Sequence, residues 1–312
     1  MKRALVTGGA GFIGSFLCEK LLTLGYSVFC VDDLYSGNQN NIKHLKENDN
    51  FVFFISDVTT LFELEVDEIY NLASPASPKD YQANPMYTIK TGVDGAIRMA
   101  SLAQKLKCKL FQASTSEVYG DPQIHPQPES YWRNVNPIGV RACYDESKRL
   151  AESILFIYYR EQHFPLKVGR IFNTYGPRMA CDDGRVITNF INQAICNKDI
   201  TVYGNGLQTR SFCYISDLVD GMIKFMGSSD EITGPMNLGS QFEYSILEVA
   251  ETIIKLTGSN SKIIFQELPE DDPVKRRPDI TLAKNLLQWE PKVSLEEGLI
   301  KTIAYYTEIY RS

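Results

Sequence analysis

Apolar positions change rhythm repeatedly along the chain. Ala4-Leu5-Val6 is a short apolar run that breaks at Thr7-Gly8-Gly9-Ala10-Gly11-Phe12-Ile13-Gly14, which reads as a buried strand followed by a glycine turn. Phe16, Leu17, Leu21, Leu22 and Leu24 then recur at helical spacing until Gly25, predicting a helix. Residues 27–31 predict a second strand that ends at Asp32-Asp33. The alternation continues with strands expected at 51–55, 68–72, 109–113 and 166–171, and helices at about 86–106 and 147–159. Strands alternating with helices imply an α/β fold whose doubly wound parallel sheet is covered on both faces.

Beyond Asn173 the texture changes, with Gly, Pro, Asn and Arg frequent and the elements shorter. Asp217 is placed to cap a helix carrying Leu218, Val219, Met222 and Ile223, and that segment is expected to pack back onto the first half. Ser294-Leu295-Glu296-Glu297 fits a capping box ahead of a final helix.

Composition narrows the function. A chain of 312 residues suits two domains or one large α/β unit. Its 32 basic and 38 acidic residues leave a net charge of −6, which argues against nucleic acid or an anionic membrane as partner and favours a small molecule. The seven cysteines are odd in number, scattered and without a C-x-x-C pair, so neither a disulfide framework nor a zinc site is expected. Cys18 and Cys30 fall inside apolar segments and read as small buried hydrophobes. The three histidines have no partner at ligand spacing, so no metal is expected. No apolar run approaches the roughly 18 residues of a membrane span, and Met1-Lys2-Arg3 leads straight into a strand with no room for a signal peptide. The expected location is cytoplasmic.

The glycine fingerprint sits in the context that gives it meaning. Gly8, Gly11 and Gly14 follow a strand and open a helix, and Asp32 closes the next strand 18 residues after Gly14. Such glycines let the backbone approach a pyrophosphate, the helix N-terminus offers unpaired N–H groups, and the aspartate accepts from a ribose. With Asp33 beside Asp32 and no arginine nearby, NAD is favoured over NADP. Asp57-Val58 is expected at the adenine edge and Leu72-Ala73-Ser74 under the nicotinamide ribose. Residues 1–172 are therefore expected to form a Rossmann-type NAD-binding domain, completed by about 207–240, with 173–312 as a smaller α/β substrate-binding domain.

Tyr144 and Lys148 are four residues apart, so on a helix both side chains point the same way. An ammonium beside a phenol favours the phenolate, which can take a proton from a sugar hydroxyl. The strand at 109–113 runs into Ser114-Thr115-Ser116-Glu117, where Thr115 could share the substrate oxygen with Tyr144 and Glu117 could serve as acid, base or electrostatic director.

With these residues, the chain resembles the extended short-chain dehydrogenase/reductase family. Ser74-Pro75-Ala76-Ser77-Pro78, the Thr115-Ser116-Glu117 triplet, Tyr144-Asp145-Glu146-Ser147-Lys148, the run from Arg170 to Arg178 and Arg276-Arg277-Pro278 narrow the resemblance to its members that decarboxylate UDP-glucuronate. The resemblance implies NAD-dependent oxidation at sugar C4, loss of the C5 carboxyl as carbon dioxide and return of the hydride to give UDP-xylose. It implies that Ser116, Glu117 and Arg276 handle the carboxylate and the later protonation at C5, without naming the proton donor. It adds Phe12, Ile13, Ser36, Gly37, Thr91 and Ala113 to the cofactor residues already named. It places Lys90, Asn173, Arg185, Tyr203, Arg210 and Arg276 around the substrate. A homodimer through the helices around 88–106 and 146–160 is also implied. Ser116 separates this reaction from the 4,6-dehydratases, which carry an aspartate there to protonate a departing hydroxyl; serine is far too weak an acid. A 4-epimerase, a variant releasing the 4-keto pentose and a silent NAD-binding protein are the remaining alternatives.

Overall fold

A computed structural model describes residues 1–60, 64–267 and 275–311. In chain order its first half holds β1 (Arg3–Thr7), α1 (Phe12–Thr23), β2 (Ser27–Asp32), β3 (Phe51–Ile55), β4 (Glu68–Asn71), α2 (Pro78–Ala83), α3 (Pro85–Leu106), β5 (Lys109–Thr115), α4 (Ala142–Gln162) and β6 (Leu166–Ile171). The second half continues with β7 (Thr174–Tyr175), α5 (Val186–Ile195), β8 (Ile200–Tyr203), β9 (Thr209–Ser211), β10 (Cys213–Tyr214), α6 (Ile215–Met226) and β11 (Met236–Leu238). It closes with β12 (Glu243–Ser245), α7 (Ile246–Thr257), β13 (Ile263–Gln266), β14 (Lys275–Arg276), α8 (Thr281–Leu287) and α9 (Leu295–Arg311).

Seven parallel strands run in the order β3-β2-β1-β4-β5-β6-β11. Alternate residues of the same strands feed two cores: Leu5, Ile69 and Leu110 face one side, with Met99 and Leu155 from the α3 and α4 layer, while Val6, Tyr70 and Phe111 face α1 and α6. This two-sided burial explains why the central strands read as continuous apolar runs. The α6 and β11 segment returns from the second half: β11 pairs with β6, and Phe225 of α6 meets Phe111 edge-on at 6.1 Å. The sheet changes its direction of growth between β1 and β4, the place where such folds open a crevice beyond the strand ends.

Several boundaries differ from the sequence reading. Helix α4 begins five residues before the expected 147, because its first turn faces a cavity and carries polar residues in place of core ones. Strand β5 runs two residues further, to Thr115. Asp217 does not cap α6; it lies in the first turn, and its carboxylate accepts from the backbone N–H groups of Lys292 and Val293 at 2.9 and 2.8 Å. At Ser294 the hydroxyl accepts from Glu297 N at 3.2 Å, but the Glu297 carboxylate turns to Lys301. The full reciprocal capping box stands at Ser245 and Glu248, ahead of α7. Among the described residues, no helix is long and apolar enough to cross a membrane.

Candidate active site

A cavity of about 550 Å³ opens beyond the carboxyl ends of β1, β4, β5 and β6. Gly8, Gly11, Phe12, Ile13 and Gly14 form one end of it. Gly8 has φ +69°, and a Cβ on Gly14 would stand 2.1 Å from the Gly8 carbonyl oxygen, so only glycine permits this close turn. Helix α1 starts without a side-chain cap, which leaves its first N–H groups for an anion. Asp32 is buried at the end of β2, its oxygens accepting from Ala10 N at 3.0 Å and Leu34 N at 2.8 Å. Burial raises its carboxyl above the usual range despite those donors.

A second cavity of about 40 Å³ meets the first at Gly8, Asp32 and Ser74, and Asp33, Ser36, Val58 and Thr91 line it. Thr91 presents a buried hydroxyl there, beside the Tyr87 phenol. A glycine cradle too tight for a Cβ at Gly14, an uncapped helix start and a buried acceptor carboxylate fit a dinucleotide. Leu72, Ser74 and Ala113 line the large cavity between the cradle and the reactive residues.

Three of the expected residues stand outside both cavities. Gly37 packs behind Asp32, where a Cβ would lie 2.4 Å from Oδ1. The Asp57 carboxylate closes its own turn by accepting from Thr59 N at 2.8 Å. Lys90 is exposed on α3, because the helix turns by about 100° between it and inward-facing Thr91.

Tyr144 and Lys148 lie in the first two turns of α4, both buried and both lining the large cavity. The Lys148 ammonium donates to the Ala113 carbonyl at 3.0 Å and lies 5.8 Å from the centre of the Tyr144 ring. Burial pushes the Tyr144 phenol up to about 12, against the pull of the Thr115 hydroxyl. Burial alone lowers Lys148 to about 8.

Thr115 ends β5, and its hydroxyl accepts from Glu117 N at 3.2 Å, closing the turn that carries Ser116 and Glu117. The Glu117 carboxylate is gripped by both terminal nitrogens of Arg276, which arrives from β14, and by Arg141 at 2.5 Å. Burial would raise that carboxyl, but Arg276 and then Arg141 outweigh it and hold it below the ordinary range. Two guanidinium groups against one carboxylate leave this wall net positive.

Asn173, Arg185, Tyr203 and Arg210 line the far end of the same cavity. Arg185 is forked onto Asp183, with Nη2 2.6 Å from Oδ2. Arg178 stacks on Phe16 and pairs with Glu19, and Arg277 pairs with Glu243, so neither reaches the cavity. Among the lining residues that sequence reasoning missed, Tyr81 and Arg141 touch the reactive groups. Tyr81, on α2, stacks on Tyr144 with ring centres 5.1 Å apart and planes 7° apart. Its one available signal was position, three residues past the Ser74–Pro78 run. Arg141 stands three residues before Tyr144, one helical turn away.

A parallel sheet whose crevice joins a glycine cradle to a buried tyrosine–lysine pair defines a dinucleotide-dependent enzyme that interconverts alcohols and ketones. The chain matches the family model described as GDP-mannose 4,6 dehydratase over residues 5–302. It is 50% identical over 305 residues to UDP-glucuronic acid decarboxylase 1 of Xenopus tropicalis, covering 98% of this chain and 72% of that one. It is 51% identical over 298 residues to UDP-glucuronic acid decarboxylase 5 of Arabidopsis thaliana, covering 95% of this chain and 87% of that one. The UDP-glucuronic acid 4-epimerase of Bacillus cereus, solved with UDP-glucuronic acid and NAD, superposes with a TM-score of 0.88 at 28% identity, covering 99% of this chain and 100% of that one. The chain belongs to the extended short-chain dehydrogenase/reductase family and, within it, to the UDP-glucuronic acid decarboxylases.

Proposed function

We propose that the chain converts UDP-glucuronate to UDP-xylose and carbon dioxide, with NAD held by the glycine cradle, Asp32 and the Thr91 cavity. Bound there, NAD would supply a hydride acceptor for sugar C4 and afterwards the donor that restores the alcohol. Tyr144 takes the proton from the C4 hydroxyl, while the Thr115 hydroxyl holds the same oxygen. Lys148 favours the ionised phenol by its charge. A ketone at C4 makes the sugar acid a β-keto acid, so the electrons of the bond to the leaving carboxylate flow into the C4 oxygen as an enolate. Thr115 and Tyr144 stabilise that oxyanion by donating to it. Protonation of the enolate at C5 restores the C4 ketone that the returning hydride reduces, with Tyr144 giving its proton back to the C4 oxygen. The positive wall of Arg141 and Arg276 receives the sugar carboxylate, and Asn173, Arg185, Tyr203 and Arg210 receive the nucleotide.

The observation that carries this reading is the meeting of Thr115, Tyr144 and the Glu117–Arg276 fork in one cavity, with a serine at 116. Incubation with UDP-glucuronate tests it directly. The expected result is carbon dioxide with UDP-xylose by mass and NMR; UDP-galacturonate without carbon dioxide would identify an epimerase, and turnover of dTDP-glucose a dehydratase.

A homodimer is part of the proposal. Helices α3 and α4 pack side by side, and Ile89, Leu150 and Ile157 stay exposed on them while Val93, Ile97 and Ile154 are half-buried. A scattering mass of twice 35.3 kDa is expected. All seven cysteines are free, which supports a reducing, cytoplasmic setting.

A further inference from the structure

Arg276 reaches Glu117 on a slender carrier. Its strand, β14, is two residues long and lies at the edge of a three-stranded sheet, paired with β9 through Lys275↔Thr209 and Arg276↔Arg210. The next residue, Arg277, is held by a side chain from the other half of the molecule. Gln127 is wholly buried in the connection from β5 to α4. Its Oε1 accepts from Arg277 N at 2.8 Å, and its own backbone N–H donates to the Arg277 carbonyl at 2.9 Å. The amide's Nε2 donates to the Ile124 carbonyl at 3.0 Å, so the group accepts at one end, donates at the other and fits in one orientation. The Gln127 carbonyl in turn accepts from Asp279 N at 3.0 Å and from Asn237 Nδ2 at 2.9 Å. Asn237 lies on β11, which ties this clasp to the large sheet. The Arg277 side chain is fixed as well: its Nη1 donates to Glu243 Oε2 at 3.1 Å, and Glu243, on β12, accepts at Oε1 from the Thr209 hydroxyl at 2.8 Å. Gln127, Glu243 and Arg277 all stand outside the cavity.

We propose that Gln127 and Glu243 are positioning residues for recognition of the sugar acid. By holding Arg277 at its backbone and at its side chain they aim Arg276 at Glu117, and so set how strongly the pocket prefers a nucleotide sugar with a carboxylate at C5 over one without. A forked guanidinium contact demands a fixed angle, which a two-residue edge strand does not supply by itself. Without the amide oxygen, the Arg277 N–H is left buried and unpaired, and the backbone must shift to find it a partner. The connection that presents Glu117 near its start thus also seats the arginine that grips it. The inference rests on the carboxylate reading of the Arg141 and Arg276 wall and names what holds that wall in place.

Calorimetric titration of UDP-glucuronate and UDP-glucose, with NAD present, tests it in a Tyr144→Phe background, where oxidation should be abolished. With the clasp intact the glucuronate should bind more tightly. Gln127→Met should cut that preference by roughly fivefold and leave UDP-glucose affinity unchanged, and Glu243→Gln should cut it by about twofold. Neither should lower it further once Arg276 is replaced by alanine, whereas a role in folding alone would weaken both sugars alike. An unmoved preference in Gln127→Met would overturn the assignment; if that variant does not fold, an unmoved preference in Glu243→Gln does so. A loss that persists without Arg276 would also overturn it, since the clasp would then act through another group. Equal affinity for the two sugars with the clasp intact would remove the carboxylate reading itself.

Discussion

Burial pushes Tyr144 and Lys148 in opposite directions, and both shifts oppose ionisation. A phenol at about 12 is almost wholly protonated near neutrality, so its proposed work as a base depends on positive charge beside it. Tyr144→Phe should abolish the first oxidation and spare dinucleotide binding; full turnover in that variant would disprove the assigned base. Lys148 carries a cost for the same reason. Its fall from 10.5 to about 8 means the folded state binds fewer protons than the unfolded chain between those values. Below pH 8 the buried charge opposes folding by on the order of 3 kcal/mol, and the penalty fades as pH rises toward 10.5. Lys148→Met should therefore be inactive yet melt at a higher temperature than the wild type at pH 7, with the gap narrowing by pH 10. The Ala113 carbonyl keeps a second donor in Gln112, at 3.1 Å, so the substitution does not orphan it. A lower melting temperature at pH 7 would show that the ammonium is structural. The tyrosine and lysine were legible because four-residue spacing on a helix is a local property. Tyr81 was not, because its stacking on Tyr144 appears only once α2 has packed against α4, and Arg141 was not, because its partner Glu117 lies 24 positions away.

Among the elements, the β1 turn into α1 and the β5 turn into its hydroxyl run carry the proposed function. The first was readable because glycine spacing and apolar rhythm are both local signals. Gly14→Ala sets a methyl group 2.1 Å from the Gly8 carbonyl, and should cost dinucleotide binding more than any loss in melting temperature explains; titration beside a thermal melt checks this. The second turn depends on contacts that chain order hides. Glu117 and Arg276 are 159 positions apart, so spacing cannot join them, and only the family resemblance put both at the carboxylate. Removing the carboxylate leaves two guanidinium groups facing each other, so Glu117→Gln should destabilise the fold by about 3 kcal/mol. The sign of the acid limb follows from the lowered carboxyl. The ion pairs contribute fully above the ordinary value of 4.5 and are lost as pH falls through the lower folded value. Acid unfolding should be steeper in wild type than in Glu117→Gln, and identical slopes would remove Glu117 from that role.

At the scale of the molecule, one crevice is shared by two parts of the chain. The first half supplies the glycine cradle, Tyr144 on α4 and Arg141, and the segments after Asn173 supply Arg185, Arg210 and Arg276. A ligand that touches both should stabilise the whole, by about 2.7 kcal/mol at a hundred times its dissociation constant. UDP and UDP-glucuronate should each raise the melting temperature. Arg276→Ala should erase the extra shift given by the glucuronate while keeping that given by UDP, and equal loss of both would place Arg276 outside the carboxylate site. The α/β alternation was visible from the sequence because it is a rhythm; the return of the α6 segment to the first half was expected from its apolar stripe, while the pairing of β11 with β6 was not legible. The pairing of Arg178 with Glu19 and Arg277 with Glu243 was invisible, since nothing in composition tells a cavity arginine from one tied to a neighbour.

The distance along the chain between Glu117 and Arg276 also orders events during synthesis. A chain leaving the ribosome has all seven strands of its sheet by Leu238, while the carboxylate at 117 still waits for its forked partner. Every unfinished copy therefore holds the glycine turn and the tyrosine–lysine pair before it holds the group that completes the acid-handling wall, so the charge balance around Glu117 is finished only in the last stretch of the chain.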